Sequence, residues 1–388
     1  MPTPRIDPQI SDAVLRPTHL EVDRAALRHN LATLRGQVGV ARVMAVVKAN
    51  AYGHGLVPVA RLMEAEGVAS IGVAVLEEGL RLREAGVRVP ILVMGGILGS
   101  QIPLFLDHDL MLTASSIAKL EAIEACAAAR GQRASVHLKV DTGMERIGVH
   151  WYTAEGLLEA SLRCPNVDVV GIFSHFANAD APDLSHARLQ LERFLGVLDF
   201  YRQRSLPPPT RHIANSAAIL RLPESHLDLV RPGIALYGVY PSPDVPRSLP
   251  LRPAMTWRSR VVYFKVVRAG DPVSYGSTWA PPHPTRVVTV PVGYGDGYPR
   301  RMAGSAEVIL RGARHPVVGS ICMDQVMVDI GGGSAWNDDP VTLLGETEGH
   351  RITVEELAEW AGTIPYEILT GINARVPRTY PGPAPLPG

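Results

Sequence analysis

Between Thr18 and about Tyr240 the chain repeats one arrangement: a short apolar run, then a longer stretch of helical periodicity. The apolar runs lie near 43–47, 70–75, 90–94, 109–113, 135–140, 167–173, 211–214 and 228–231. Short apolar runs bounded by turn residues read as buried strands. Leu76–Ala85, Ser115–Arg130 and Leu184–Arg204 are amphipathic, and Ser115 or Ser116 is placed to cap the second of these. Eight strands alternating with helices predict a parallel α/β fold, and the count favours a closed (β/α)8 barrel. A doubly wound sheet is the rival, but no glycine-rich dinucleotide turn follows the first strand.

Pro241-Ser-Pro-Asp-Val-Pro246 interrupts this pattern, and Pro250 and Pro253 reinforce the break. Beyond it, Trp257–Val267, Thr285–Val292, Ala306–Leu310, Gln325–Ile330 and Val341–Leu344 are rich in valine and threonine, with partial alternation. One helix, about Thr353–Ala361, opens with the capping pattern of Thr353 and Glu356. The expected organisation is a barrel domain over 1–246, including a proline-spaced arm over 1–17, and a mostly β domain over 247–388.

Charge and cysteine content narrow the functional classes. Thirty-eight basic residues balance thirty-eight acidic ones, so no nucleic-acid or acidic-membrane surface is expected. Cys126, Cys164 and Cys322 have no framework spacing, which points to a reducing compartment. No apolar signal core opens the sequence, and the expected location is cytoplasmic.

Within the barrel the most informative stretch is Val43-Met-Ala-Val-Val-Lys48-Ala-Asn-Ala-Tyr52-Gly-His-Gly55. It places a lysine at the end of the first apolar run. Such a lysine either snorkels to solvent or serves as an amine, and a partly buried amine suits Schiff-base chemistry. Of the 38 cations only Lys48, Lys119, Lys139 and Lys265 are lysines, so a generic positive charge is usually supplied here by arginine. Barrel chemistry sits on the loops after the strands. Those loops would carry Lys48 and Tyr52, then Lys139 with Asp141-Thr-Gly-Met-Glu-Arg146, then His175, Asn215-Ser216 and Arg231-Pro-Gly-Ile234. Acid/base, cationic and backbone-donor groups would thus converge on one mouth. No metal is called for.

The stretch from Ala45 to Gly55 resembles the alanine racemases. So do Lys139-Val-Asp-Thr-Gly-Met, Ser174-His-Phe-Ala, Asn215-Ser, Val230-Arg-Pro-Gly-Ile, Ser274-Tyr-Gly, Val292-Gly-Tyr-Gly-Asp-Gly, Cys322-Met-Asp-Gln and Arg375-Val-Pro-Arg-Thr-Tyr. The resemblance spans both expected domains. It implies a pyridoxal 5′-phosphate (PLP) enzyme, a head-to-tail homodimer with shared sites, and D-alanine made for cell-wall peptidoglycan. It implies that Lys48 binds the cofactor and serves one face of the substrate Cα, while Tyr275 of the partner subunit serves the other. Arg231 would face the pyridine nitrogen, and because arginine has no acceptor that nitrogen would stay unprotonated. His175 would lie against the ring and bond Arg231. The Gly233 and Ile234 amides, Ser216, Tyr52 and Tyr380 would hold the phosphate, with Asn215 beside them. Arg146 and the Met323 amide would take the substrate carboxylate, Lys139 would be carbamylated, and Tyr294 would narrow the entrance.

The pattern departs from the family at Glu145, where glycine is common. A carboxylate there either competes for the Arg146 guanidinium or points to solvent. Two other readings belong beside the leading one. One is a broad-specificity racemase or decarboxylase on the same fold. The other is a non-catalytic PLP-binding protein, whose resemblance would be to the barrel alone.

Overall fold

The computed structural model describes residues 15–381, so residues 1–14 of the expected N-terminal arm lie outside it. Two compact units divide the described chain: residues 25–252 form one, and residues 15–24 with 253–381 form the other. Strand β1 (His19–Val22) precedes the first unit in sequence but pairs within the second.

The first unit is the barrel expected from the eight apolar runs. Its strands are β2 (Arg42–Val46), β3 (Ser70–Val73), β4 (Ile91–Val93), β5 (Leu112–Ala114), β6 (Ala134–Asp141), β8 (Val167–Phe173), β9 (Thr210–His212) and β10 (Leu229–Val230), with the two-residue β7 (Val149–His150) paired to β6. All pairings are parallel, in two arcs ordered β10-β2-β3-β4 and β5-β6-β8-β9. Backbone hydrogen bonds close both seams. Val93 N donates to Met111 O at 3.1 Å and Met111 N to Ile91 O at 2.8 Å. Across the other seam, Asp228 N donates to Arg211 O at 3.2 Å and Arg231 N to Ala214 O at 2.9 Å.

Strands β3, β4 and β5 are buried at every residue. A parallel strand covered on both faces can be apolar throughout, which is why these runs do not alternate. The intervening helices start and stop where local chemistry dictates. Ser116 accepts the amide of Lys119 at 3.1 Å to cap Ile117–Arg130, and Gly131 ends that helix in the left-handed region, φ 61°. Among the described residues no helix is long and apolar enough to cross a membrane.

The second unit is mostly β. Besides β1, its strands are β11 (Met255–Arg260), β12 (Tyr263–Val267), β13 (Thr285–Val290), β14 (Glu307–Leu310), β15 (Ala313–Val318), β16 (Val326–Asp329), β17 (Pro340–Thr347), β18 (His350–Ile352) and β19 (Arg378–Thr379). The sheet runs β12-β13-β16-β15-β14-β17-β11-β1-β19, with β18 paired to β17. The apolar run 257–267 is therefore two strands, broken at Val261-Val262. The segment holding β1 belongs to this sheet and not to the barrel that follows it in sequence: Leu20 N donates to Pro377 O, and His19 to Val22 pair with Arg258 to Met255. The capping pattern at Thr353 is formed in both directions. Glu356 N donates to Thr353 Oγ1 at 3.2 Å, and Thr353 N to Glu356 Oε2 at 2.7 Å.

Within the barrel, β6 and β8 approach closely at one point. His137 pairs with Gly171, and a Cβ on Gly171 would lie 2.1 Å from His137 Nδ1. Only glycine lets the imidazole occupy this place. Gly171→Ala should therefore lower stability by about 1–3 kcal/mol, the usual range for overpacking a core. A downward shift of the urea midpoint, which multiplied by the denaturant slope gives a loss in that range, checks it.

Candidate active site

Lysine 48 stands one residue beyond Val47, whose amide still bonds Gly72 O at 2.9 Å. The chain then turns through four consecutive left-handed residues, Ala49, Asn50, Ala51 and Tyr52, with φ between 51° and 55°. Such a run costs roughly 1–2 kcal/mol per residue, so its surroundings must hold it. Glu78 accepts Ala74 N at 2.9 Å and Asn50 N at 3.4 Å, and Asn50 Oδ1 accepts Leu56 N at 2.8 Å. The turn carries Tyr52 back into the barrel, where its ring lies 5.0 Å from that of Tyr237; the Tyr237 hydroxyl donates to Val46 O at 3.0 Å. Burial pulls the Lys48 amine below the ordinary lysine range. Arg146 adds to that pull, Glu78 opposes it, and Arg231 contributes further.

Arg231 is buried beyond β10, with 3% of its surface exposed. Its Nη1 meets His212 Nδ1 at 2.8 Å; its Nη2 reaches Ser174 O at 2.8 Å, Ile213 O at 3.1 Å and His175 Nδ1 at 3.2 Å. Guanidinium only donates, so both Nδ1 atoms must be acceptors. His212 therefore carries its proton on Nε2, which lies 2.8 Å from His137 Nδ1. The three imidazoles are held neutral, burial being the largest cause in each and Arg231 the next: His137 falls to about 3, and His175 and His212 fall well below the ordinary value. Burial brings Arg231 down to about 9, which leaves it cationic at neutral pH.

On β6, His137, Lys139 and Asp141 alternate along the strand. Lys139 is 3% exposed; its Nζ donates to Val140 O at 2.7 Å and lies 5.4 Å from the centre of the Phe173 ring. Burial brings this amine down to about 7, against the pull of Asp141 and with help from Arg231 and Arg146. Asp141 is spent on the following loop: it accepts Gly143 N, Met144 N and Arg146 N at 2.8, 3.0 and 3.2 Å. That loop carries Arg146. Glu145 turns outward, its carboxylate 3.5 Å from His150 Nδ1 and 67% exposed, so it leaves the guanidinium alone. Its φ of 54° lies in the left-handed region, where glycine is favoured.

Three groups converge near Tyr52. Ser216 Oγ accepts Gly233 N at 2.9 Å and Ala235 N at 3.3 Å. A Cβ on Gly233 would lie 2.3 Å from the Tyr52 hydroxyl. Asn215 acts here as a cap, accepting Ala218 N at 3.0 Å and orienting Ser216 at the start of Ser216–Arg221. Ile234 follows Gly233 and is buried.

The second unit carries the remaining expected residues. Tyr275 is 72% exposed, on a turn held by Ser274 Oγ to Ser320 O at 2.6 Å and by Ser320 Oγ to Tyr275 O at 2.8 Å. Exposed Tyr294 and Met323 sit on adjoining loops, since Tyr294 N donates to Cys322 O at 3.1 Å and Gly295 N to Met323 O at 2.9 Å. Tyr380 lies elsewhere on this unit, with Arg24 over its ring at 5.6 Å. Sequence reading missed His137, His212, Glu78 and Tyr237. The alternation of His137, Lys139 and Asp141 on an otherwise apolar strand was the available signal for the first.

A barrel with a depressed amine at one strand end, set against a buried guanidinium, defines a class of lysine-centred barrel proteins. The comparisons make it specific. Residues 22–241 match the sequence model of the alanine racemase N-terminal domain, and residues 254–380 that of the C-terminal domain. The alanine racemase of Desulforamulus reducens is 46% identical over 373 residues, covering 94% of this chain and 99% of that protein. The crystal structure of alanine racemase from D-cycloserine-producing Streptomyces lavendulae superposes with a TM-score of 0.90 at 41% identity, covering 95% of this chain and 98% of that one. That from Bartonella henselae, described with covalently bound pyridoxal phosphate, gives 0.85 at 29% identity over 94% and 99%. The chain belongs to the alanine racemase family, isomerases acting on amino acids. The match to both domains excludes the barrel-only PLP-binding class.

Two predictions come from this geometry. The Lys139 amine, at about 7, lies below its ordinary 10.5. Between those values the unfolded chain binds more protons, so folding stability rises with pH there, while below about 7 both states are protonated. In carbon-dioxide-free buffer, wild type should gain stability relative to Lys139→Met as pH rises from 7 to 10, read from urea midpoints. Glu145→Gly should stabilise by about 0.5–1 kcal/mol, because relief of left-handed strain exceeds the added entropy of the unfolded chain. Differential calorimetry reads that gain.

Proposed function

We propose that this protein interconverts L- and D-alanine with two bases, Lys48 and Tyr275 of the partner subunit, in a head-to-tail homodimer. We further assign it to the cytoplasm and to the supply of D-alanine for peptidoglycan. The observation that carries the catalytic reading is the Lys48 amine. It is depressed by burial and flanked by Arg146 and Arg231 at the end of a barrel strand.

The residues fit PLP. The Gly233 and Ala235 amides point at one oxygen, that of Ser216, and the Tyr52 hydroxyl lies where a Cβ on Gly233 would collide. Crowded amides and hydroxyls of this kind suit a phosphate. Tyr52, Ser216, Gly233 and Ile234 would hold it, with Tyr380 adding a hydroxyl and Asn215 orienting Ser216. His175 and Arg231 would meet the ring. When bound through Lys48, the cofactor supplies an electron-withdrawing ring that acidifies the amino-acid Cα proton.

The protein's own residues then set the outcome. Racemisation requires a proton to leave one face of Cα and another to arrive on the opposite face, and one side chain cannot serve both. Lys48 would act on one face and the partner's Tyr275 on the other. Arg231 carries no acceptor, so it presents only donors and tempers electron withdrawal by the ring. Arg146 and the Met323 amide would orient the carboxylate. Lys139 would take up carbon dioxide at its neutral amine, losing a proton and gaining a negative charge opposite Arg146. Tyr294 would narrow the entrance and favour alanine.

The shared site is tested by mixing Lys48→Ala and Tyr275→Ala, each expected to be nearly inactive. Random pairing makes half the dimers mixed, each with one intact site of two, so roughly a quarter of wild-type activity should return. Verified subunit exchange with no recovered racemisation would reject the shared site. An unmixed Lys48→Ala protein that still racemises alanine would reject the lysine.

A further inference from the structure

The Gly-Tyr-Gly-Asp-Gly and Arg-Val-Pro-Arg motifs hold a residue that the reaction itself does not use. The side chain of Asp296 is 0% exposed, yet four donors reach it. Arg16 Nη1 and Arg375 Nε meet Oδ1 at 2.5 and 2.6 Å. Arg16 Nη2 and Gly293 N meet Oδ2 at 2.8 and 3.0 Å. Its carbonyl accepts Asn373 N at 2.9 Å. Buried carboxylates persist when paired and fully hydrogen-bonded, as this one is.

The donors extend outward from it. Arg375 spends its remaining arm on Asp324 Oδ1 at 2.5 Å, next to Met323. Arg16 Nη2 also holds Pro291 O at 3.1 Å, just ahead of the Tyr294 turn. The glycines let these parts close up. A Cβ on Gly293 would lie 2.3 Å from both Cys322 O and Met323 O, and one on Gly297 2.2 Å from Gly371 O. Substrate cannot touch the buried carboxylate, but the two exposed loops beside it are tied to it.

We propose that Asp296 is the positioning residue of the substrate entrance: through Arg375 and Arg16 it holds the Tyr294 and Met323 loops in one arrangement and so sets selectivity for a small amino acid. This rests on the reading of Tyr294 and Met323 given above. Two charges from distant parts of the sequence, residues 16 and 375, meet at one anion, so loss of either frees both loops together.

The test compares Asp296→Asn, Arg375→Leu, Arg375→Lys and Tyr294→Ala, each loaded with PLP. Steady-state racemisation is measured with alanine and with the longer 2-aminobutyrate, and amide exchange is followed at 293–297 and 322–324. Asp296→Asn and Arg375→Leu should raise KM for alanine about tenfold, change kcat less than threefold, and lower the preference for alanine at least fivefold. Exchange should quicken in both segments, and Arg375→Lys should recover part of the preference. If Asp296→Asn fails to fold, Arg375→Leu decides, because that side chain is 41% exposed and tolerates truncation. Unchanged preference and exchange in Arg375→Leu would overturn the proposal. Should Tyr294→Ala leave the preference unaltered, the entrance reading fails by itself, and the exchange data alone then support or overturn the clamp.

Discussion

The barrel interior depends on a guanidinium that can only donate. Arg231 needs acceptors on every side, and it finds two carbonyl oxygens and two imidazole nitrogens. From that one requirement the protonation pattern follows. His175 and His212 must present bare Nδ1 atoms, and His212 must pass its proton toward His137. A protonated histidine at any of these places would set a second buried cation against the first. The positive field also reaches the two amines, since Arg231 contributes to lowering both Lys48 and Lys139. The largest contribution in each case is burial. Burial, reinforced by this fixed cation, thus biases five nitrogen-bearing side chains of the barrel toward their neutral forms.

Much of this architecture is legible in the sequence, for identifiable reasons. Parallel strands buried on both faces write continuous apolar runs, so the eight barrel strands are visible to within about three residues at each end. The capping box at Thr353 is a local hydrogen-bond exchange and equally visible. The candidate site residues Lys48, His175 and Arg231 are legible as positions after strands, because a barrel places chemistry at one end of its strands. The losses are of two kinds. β1 and β19 are four- and two-residue strands whose partners lie far away in sequence, and nothing local distinguishes them from loop. The left-handed turn at 49–52 uses alanine, which has no preference for that conformation, so only packing reveals it.

Glu145 shows how a sequence departure can be settled by backbone geometry. From residue types alone, a carboxylate beside Arg146 has two destinations. Its φ of 54° lies in the left-handed region, and its exposed carboxylate meets His150. The strain is local and the guanidinium keeps its freedom. Asp141, two places beyond Lys139 on the same strand, is likewise withdrawn from ion pairing, because backbone amides occupy both its oxygens.

The placement of β1 has a consequence for synthesis on the ribosome. Leu20 and Val22 are made before every barrel strand, yet in the finished sheet they are fully covered between β11 and β19. At about 5–20 residues per second, roughly 10–50 s pass before Met255–Arg260 has been made, and β19 comes later still. During that interval the barrel strands emerge one after another and can pair among themselves, while β1 waits with both edges open. A chain that stops between the two units can therefore close its barrel but cannot complete its second sheet, and β1 then stays unpaired.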